Sequence, residues 1–182
     1  MPSHPESTTR FATSADGTRI AYSVVGNGPA LILVDGALCH RRVGPMAELK
    51  SALSEFFTVY HFDRRGRGES EDRAPYKVER EVEDVLSVVS AAGGRAMLFG
   101  QSSGAALAVR VAAESSAITR MALYEPPFRT RVSGVAEYRN QQNRLIELLD
   151  EKRLSEAVRY FQTDVVGLPS VVLNKTLTDF CA

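Results

Sequence analysis

A serine hydroxyl becomes a nucleophile when the fold lifts it into the open and a base can take its proton. Gly100-Gln101-Ser102-Ser103-Gly104 has the composition that such a lift requires. Before it runs Arg95-Ala96-Met97-Leu98-Phe99, a short apolar run that predicts a buried strand. After it, Gly104 to Ala113 is rich in small, helix-forming residues. Strand, G-x-S-x-G, helix places the serine on a turn so tight that a side chain at Gly100 or Gly104 would strike the neighbouring strand or helix. The alanines that follow let the helix lie close to the sheet, with its N-terminus aimed where an oxyanion would form. The bare pattern arises by chance in roughly one chain in twenty of this length, so the surrounding elements decide its meaning.

The rest of the sequence supplies those elements. Phe11 to Ala15 and Thr18 to Val25 flank Asp16-Gly17, a hairpin signal. Ala30-Leu31-Ile32-Leu33-Val34 is a continuous apolar run, as expected of a strand covered on both faces, and it ends in Asp35-Gly36-Ala37-Leu38. A helix is predicted from Pro45 to Glu55, with the proline in its first turn, and a strand from Phe57 to Phe62. Val78, Val82, Val85, Leu86 and Val89 recur at helical spacing before Gly93-Gly94. Ile118 to Tyr124 reads as a sixth strand, closed by Glu125-Pro126-Pro127. Alternating strands and helices imply parallel βαβ units and an α/β sheet. From about Ser133 the alternation stops: two apolar-faced helices follow, and Val171-Val172-Leu173 is too short to count as a strand.

Composition narrows the function classes. The chain has 182 residues, enough for one sizeable core, and 44% of them are hydrophobic. Its 22 basic and 22 acidic side chains balance, which leaves no net field to favour nucleic acid or an anionic membrane. Cys39 and Cys181 lie far apart, and with His4, His40 and His61 scattered they predict no metal site and a reducing, cytoplasmic setting. No apolar stretch reaches membrane-spanning length, and residues 1–10 read as a disordered, polar start without a signal-peptide core.

Three motifs in order resemble the α/β-hydrolase superfamily, over about Phe11 to Phe128. Asp35-Gly36-Ala37 stands where that family usually has His-Gly-x after the third strand. Asp63-x-Arg65-Gly66-x-Gly68-x-Ser70 fits the D-x-R-G-x-G-x-S loop after the fourth, and Gly100 to Gly104 fits the nucleophile elbow after the fifth. The resemblance implies a mostly parallel sheet with six of the family's usual eight strands, flanked by helices. It divides the chain into a hydrolase core over 11–132 and a partial helical cap over 133–182. The family's seventh and eighth strands should follow the cap, so the sequence as it stands is expected to be cut short. The family's catalytic histidine comes after the eighth strand, whereas all three histidines here precede the nucleophile.

By this resemblance Ser102 is the nucleophile, and the backbone N–H groups of Ser103 and Ala37 are the oxyanion donors. Glu125, at the end of the sixth strand, is the candidate acid, because some members take theirs from this place; the alternative is a polar residue leading into two prolines. Asp35 replaces the usual histidine, and a buried carboxylate there needs partners, which Arg41, Arg42 or the Arg64-Arg65 pair could supply. The loop from Asp63 to Ser70 is expected to be scaffold, with phosphate binding as the alternative. His61 is expected to point into packing or toward the helix layer, and His40 to lie at the surface, with a Ser102-His40 dyad as the other option.

The expected function is a cofactor-free serine hydrolase acting on a small ester or similar acyl bond, with neither nucleic acid nor membrane as partner. A different class stays open beside it: a catalytically silent hydrolase-like chain or binding module that lacks the base. Dinucleotide binding is remote, since the turn lacks G-x-G-x-x-G spacing. The sixth strand, an edge in this arrangement, is expected to drive self-association.

Overall fold

In the computed structural model, residues 8–128 and 135–169 are described. His4, Ser133, Val171-Val172-Leu173 and Cys181 therefore lie outside the described residues. The chain divides into two compact units, Met1–Phe128 and Arg129–Ala182.

The first unit is built on six strands: β1 (Arg10–Thr13), β2 (Arg19–Val25), β3 (Ala30–Val34), β4 (Thr58–Phe62), β5 (Ala96–Gln101) and β6 (Ile118–Tyr124). Its helices are α1 (Met46–Leu53), α2 (Val78–Ala91) and α3 (Ser103–Glu114). The sheet order is β1-β2-β4-β3-β5-β6. β1 and β2 form the expected hairpin, closed by Ser14 N–H to the Thr18 carbonyl at 2.9 Å, and β2 runs antiparallel to β4. The pairs β3–β4, β3–β5 and β5–β6 are parallel, as the strand–helix alternation requires.

The continuous apolar run of β3 is explained by cover on both faces. Ile32 and Val34 join Ile20, Phe62 and Leu98 under Val82, Val85 and Val89 of α2 and Leu107 and Val111 of α3. Leu31 and Leu33, one residue out of phase, face the other way and pack with Val59 and with Met46 of α1. Full burial of each such side chain is worth about 1.5–3 kcal/mol, so the two layers fix the central strands and the strand ends that carry the site. At the edge, β6 has no neighbour beyond it among the described residues. Its Met121, Leu123 and Tyr124 are 47%, 36% and 53% exposed despite their apolar character.

The second unit holds α4 (Val135–Asp150) and α5 (Leu154–Tyr160), the latter running on into a wider helical turn over Phe161–Val165. Leu148 of α4 and Ala157 of α5 are buried, and Gln141 Nε2 donates to the Asp164 carbonyl at 2.8 Å. Ile146, Leu149 and Leu154 remain exposed. Among the described residues, no helix is long and apolar enough to cross a membrane.

Candidate active site

β5 ends at Gln101 and α3 begins at Ser103, so Ser102 alone makes the turn between them. Its backbone sits at φ 52°, ψ −123°, a conformation that L side chains rarely adopt. The flanking glycines permit this because their neighbours leave no room. A Cβ on Gly100 would lie 2.6 Å from the Gly104 carbonyl oxygen and 2.7 Å from Ala105 Cα. A Cβ on Gly104 would lie 2.1 Å from the Val34 carbonyl oxygen and 2.5 Å from that of Asp35. Hydrogen bonds hold the turn on both sides: Ser102 N–H donates to the Tyr124 carbonyl at 2.9 Å, and Ala105 N–H donates to the Ser102 carbonyl at 2.9 Å.

A third glycine brings the loop after β3 into contact with the serine. A Cβ on Gly36 would stand 3.3 Å from Ser102 Cβ and 3.9 Å from its Oγ. Ala37 follows in a turn with Leu38 at φ 60°. Ser103 opens α3, where an N–H has no intrahelical acceptor and the helix dipole is positive. Neither the Ala37 N–H nor the Ser103 N–H meets an acceptor among the described residues. Two free donors beside a strained, turn-mounted hydroxyl can hold negative charge that develops on an attacked carbonyl oxygen.

Behind these groups lies a buried polar network. Asp35 is bound through Oδ2 to Nε2 of His61 at 2.7 Å, with both side chains fully buried. The expected arginine partners are thus replaced by a histidine, and His61, rather than pointing into plain packing, is committed to Asp35. The two meet because β3 and β4 are adjacent and parallel, pairing Leu33 with His61 and leaving Asp35 just beyond. Asp35 Oδ1 and His61 Nδ1 have no partner among the described residues. Arg64 reaches the same place by another route: its Nη1 donates to the Asp35 carbonyl and to Ser103 Oγ, each at 3.1 Å. Its Nη2 is held by Glu81 of α2 at 2.6 Å, and Tyr76 donates to the same carboxylate at 2.6 Å. Burial pushes the Glu81 carboxyl up, but hydrogen bonding and charge from Arg64, then Tyr76 and Arg67, outweigh it and hold the group below its ordinary value.

The Asp63–Ser70 loop braces the site. Asp63 accepts from the N–H groups of Arg41 at 2.8 Å and Glu69 at 2.9 Å, and pairs with the Arg41 guanidinium at 3.0 Å. A side chain on Gly68 would strike Asp63, with a Cβ only 2.4 Å from Oδ2. Arg65 is bound on two sides by Asp84 and Asp16. Burial, then the Asp35 charge, push the Cys39 thiol up from its ordinary value, which disfavours its thiolate.

Glu125 follows Tyr124, whose carbonyl takes the Ser102 N–H, so it leaves the sheet beside the elbow; it is exposed and has φ 47°. His40 is held in a short bridge with Val43, and its Nδ1 faces the Arg42 N–H at 3.4 Å. Neither His40 nor His61 hydrogen-bonds Ser102. Among the described residues, no group of three or more His, Cys, Asp and Glu side chains could hold a metal ion. Sequence reasoning named Arg64 as a possible partner of Asp35 but missed Arg67 and Glu81 at this site; the only signal for Arg67 was that arginines filled three positions of the Asp63–Ser70 loop.

The family model described as "Alpha/beta hydrolase family" matches residues 28–179. An alpha/beta hydrolase from Sphaerobacter thermophilus is 43% identical, with a TM-score of 0.81, over 93% of this chain and 65% of that one. The esterase RhEst1 from a Rhodococcus species is 28% identical over 63% of this chain and 44% of its own, with a TM-score of 0.57. The bottromycin epimerase BotH, solved with bottromycin A2, is 32% identical over 63% of this chain and 47% of its own, with a TM-score of 0.58. The chain therefore spans less than two thirds of the length of each of these structures.

Proposed function

The chain belongs to the alpha/beta hydrolase family, and on that premise we propose that it acts on an ester or similar acyl bond through an acyl-enzyme on Ser102. The observation that carries the reading is the backbone of Ser102, φ 52° and ψ −123°, on a turn between Gly100 and Gly104 with the Gly36 loop against it. Strain of this kind is retained where function needs the residue exposed. In this reading Ser102 Oγ attacks the carbonyl carbon, and the oxyanion is received by the N–H groups of Ala37 and Ser103. Loss of the leaving group gives the acyl-enzyme, which water then hydrolyses. The reading also requires an imidazole to take the Ser102 proton; among the described residues His61 is bound to Asp35 and His40 makes no hydrogen bond to Ser102. Glu125 is the proposed acid that orients that imidazole. The likeness to an esterase supports the substrate class.

A second reading is favoured by one observation: no histidine hydrogen-bonds Ser102 among the described residues. On that reading the chain binds a ligand at this site without hydrolysing an acyl bond. A fluorophosphonate probe and an activated ester separate the two. Stoichiometric label on Ser102, with turnover abolished by Ser102→Ala, supports the hydrolase. A chain that takes no label and turns over nothing refutes it and leaves the binding module. Slower turnover in Glu125→Gln supports the proposed acid, and an unchanged rate removes that role.

A further inference from the structure

Two arginines hold the loop after β3 by its carbonyl groups. Arg64 takes that of Asp35, while Arg67 Nη1 donates to Gly36 at 2.7 Å and to Cys39 at 3.3 Å. Arg64 is neutralised by Glu81, but Arg67 is not. It is half-buried, and among the described residues no carboxylate lies within ion-pair distance of it. Burial, then the Arg64 charge, push its pKa down from the ordinary arginine value. A guanidinium withdrawn from water without a counter-ion is costly, so stability alone does not account for its place.

Peptide geometry does. In a trans peptide the C=O and the next N–H point in opposite directions. Fixing the Gly36 carbonyl on Arg67 therefore turns the Ala37 N–H away from the guanidinium. A Cβ on Gly36 would press on Ser102 at 3.3 Å. With no Cβ to restrict it, the Gly36–Ala37 peptide is free to turn over. That flip would present an acceptor carbonyl where the reaction needs a donor. A cation on the carbonyl also polarises the peptide and strengthens its N–H as a donor.

We propose that Arg67 is a positioning residue for the oxyanion pocket, locking the Gly36–Ala37 peptide so that the Ala37 N–H stays available beside Ser102. The proposal rests on the reading of Ala37 as an oxyanion donor. It is tested with Arg67→Met, Arg67→Gln and Arg67→Lys in the ¹⁵N-labelled chain. Three quantities are followed: the amide signals of Ala37 and Ser103, the rate of Ser102 phosphonylation by a fluorophosphonate, and the final extent of labelling.

Arg67→Met is expected to move or split the Ala37 signal and leave that of Ser103 in place. Its labelling should slow on the order of 10–100-fold, less than the roughly 10²–10³-fold cost of deleting a donor outright. The final extent should be unchanged, and Arg67→Lys should recover most of the rate. A wild-type Ala37 signal and rate in Arg67→Met overturns the proposal. So does a reduced final extent at wild-type rate, the mark of a merely structural role. If Arg67→Met does not fold, Arg67→Gln decides: without the charge and with a shorter reach it is expected to move or split the Ala37 signal and slow labelling, and a wild-type signal and rate overturn the lock. If the wild-type chain takes no label, the reading of Ser102 fails, and the Ala37 signal alone decides the lock.

Discussion

The backbone of Ser102 leads to a prediction whose sign is opposite to that at an ordinary site. At φ 52° and ψ −123° the residue holds its Cβ in a region that costs on the order of 1–3 kcal/mol for anything but glycine. Ser102→Ala keeps the Cβ and the strain. It also breaks no cap, because the hydroxyl makes no capping hydrogen bond, so its stability should stay within about 0.5 kcal/mol of wild type. Ser102→Gly releases the strain but loosens the unfolded chain, which costs about 0.4–1 kcal/mol. The difference leaves Ser102→Gly more stable than Ser102→Ala by about 1–2 kcal/mol at the centre of these ranges. For a unit of this size that is about 4 °C in melting midpoint for each kcal/mol. Calorimetry and urea titration of the two variants measure it, with equal slopes required in urea. Elsewhere in a fold, alanine is the more stable of the two. A Ser102→Gly variant that melts below Ser102→Ala would falsify the strain argument and, with it, the view that the elbow stores energy to expose this hydroxyl.

Gly104→Ala reverses another general trend. Alanine normally stabilises a helix relative to glycine by about 1 kcal/mol, yet here its Cβ would meet the Val34 carbonyl at 2.1 Å. A loss of at least about 4 kcal/mol in urea titration, or failure to fold, is expected, and wild-type stability refutes the close approach of α3 to β3. Acid sensitivity follows from Asp16, whose carboxyl is held well below its ordinary value by hydrogen bonds from Thr18 first and Arg65 after it. Its stabilisation is complete above about pH 4 and is lost as pH falls toward the lower folded value. Asp16→Asn should therefore show a shallower fall in melting temperature below pH 4 than wild type, and parallel curves contradict the assignment. Finally, the exposed edge of β6 is expected to drive association between copies. Light scattering should show mass rising with concentration, and Met121→Lys or Leu123→Lys should suppress it; a wild-type monomer at all concentrations removes the idea.

Sequence alone was enough for whatever depends on near neighbours. Gly100, Ser102 and Gly104 lie within five residues, and the clash that demands each glycine is with the chain's own next turn or the strand beneath it. The same holds for the Asp16-Gly17 hairpin and for β3, whose unbroken apolar run has one physical outcome, burial on both faces. The periodicity of α2 was legible too, but only in part. Val82, Val85 and Val89 were read as its inner face, whereas Glu81 and Asp84 are buried beside them. An acidic side chain in a helical pattern reads as solvated, and nothing local says that an arginine 17 or 19 residues earlier will neutralise it.

Partners across the sheet were beyond sequence reasoning for the same reason. Asp35 found His61 rather than a nearby arginine because β3 and β4 run side by side, and the register that joins them is a property of the whole sheet. Nor does the sequence say that Arg67 points at the Gly36 carbonyl, since its reach is set by where two separate loops come to rest. The apolar pattern of β6 shows the limit from the other side. Its residues are as hydrophobic as those of a central strand, yet most lie exposed, because burial depends on what stands alongside, and alternation along one strand carries no record of its neighbours.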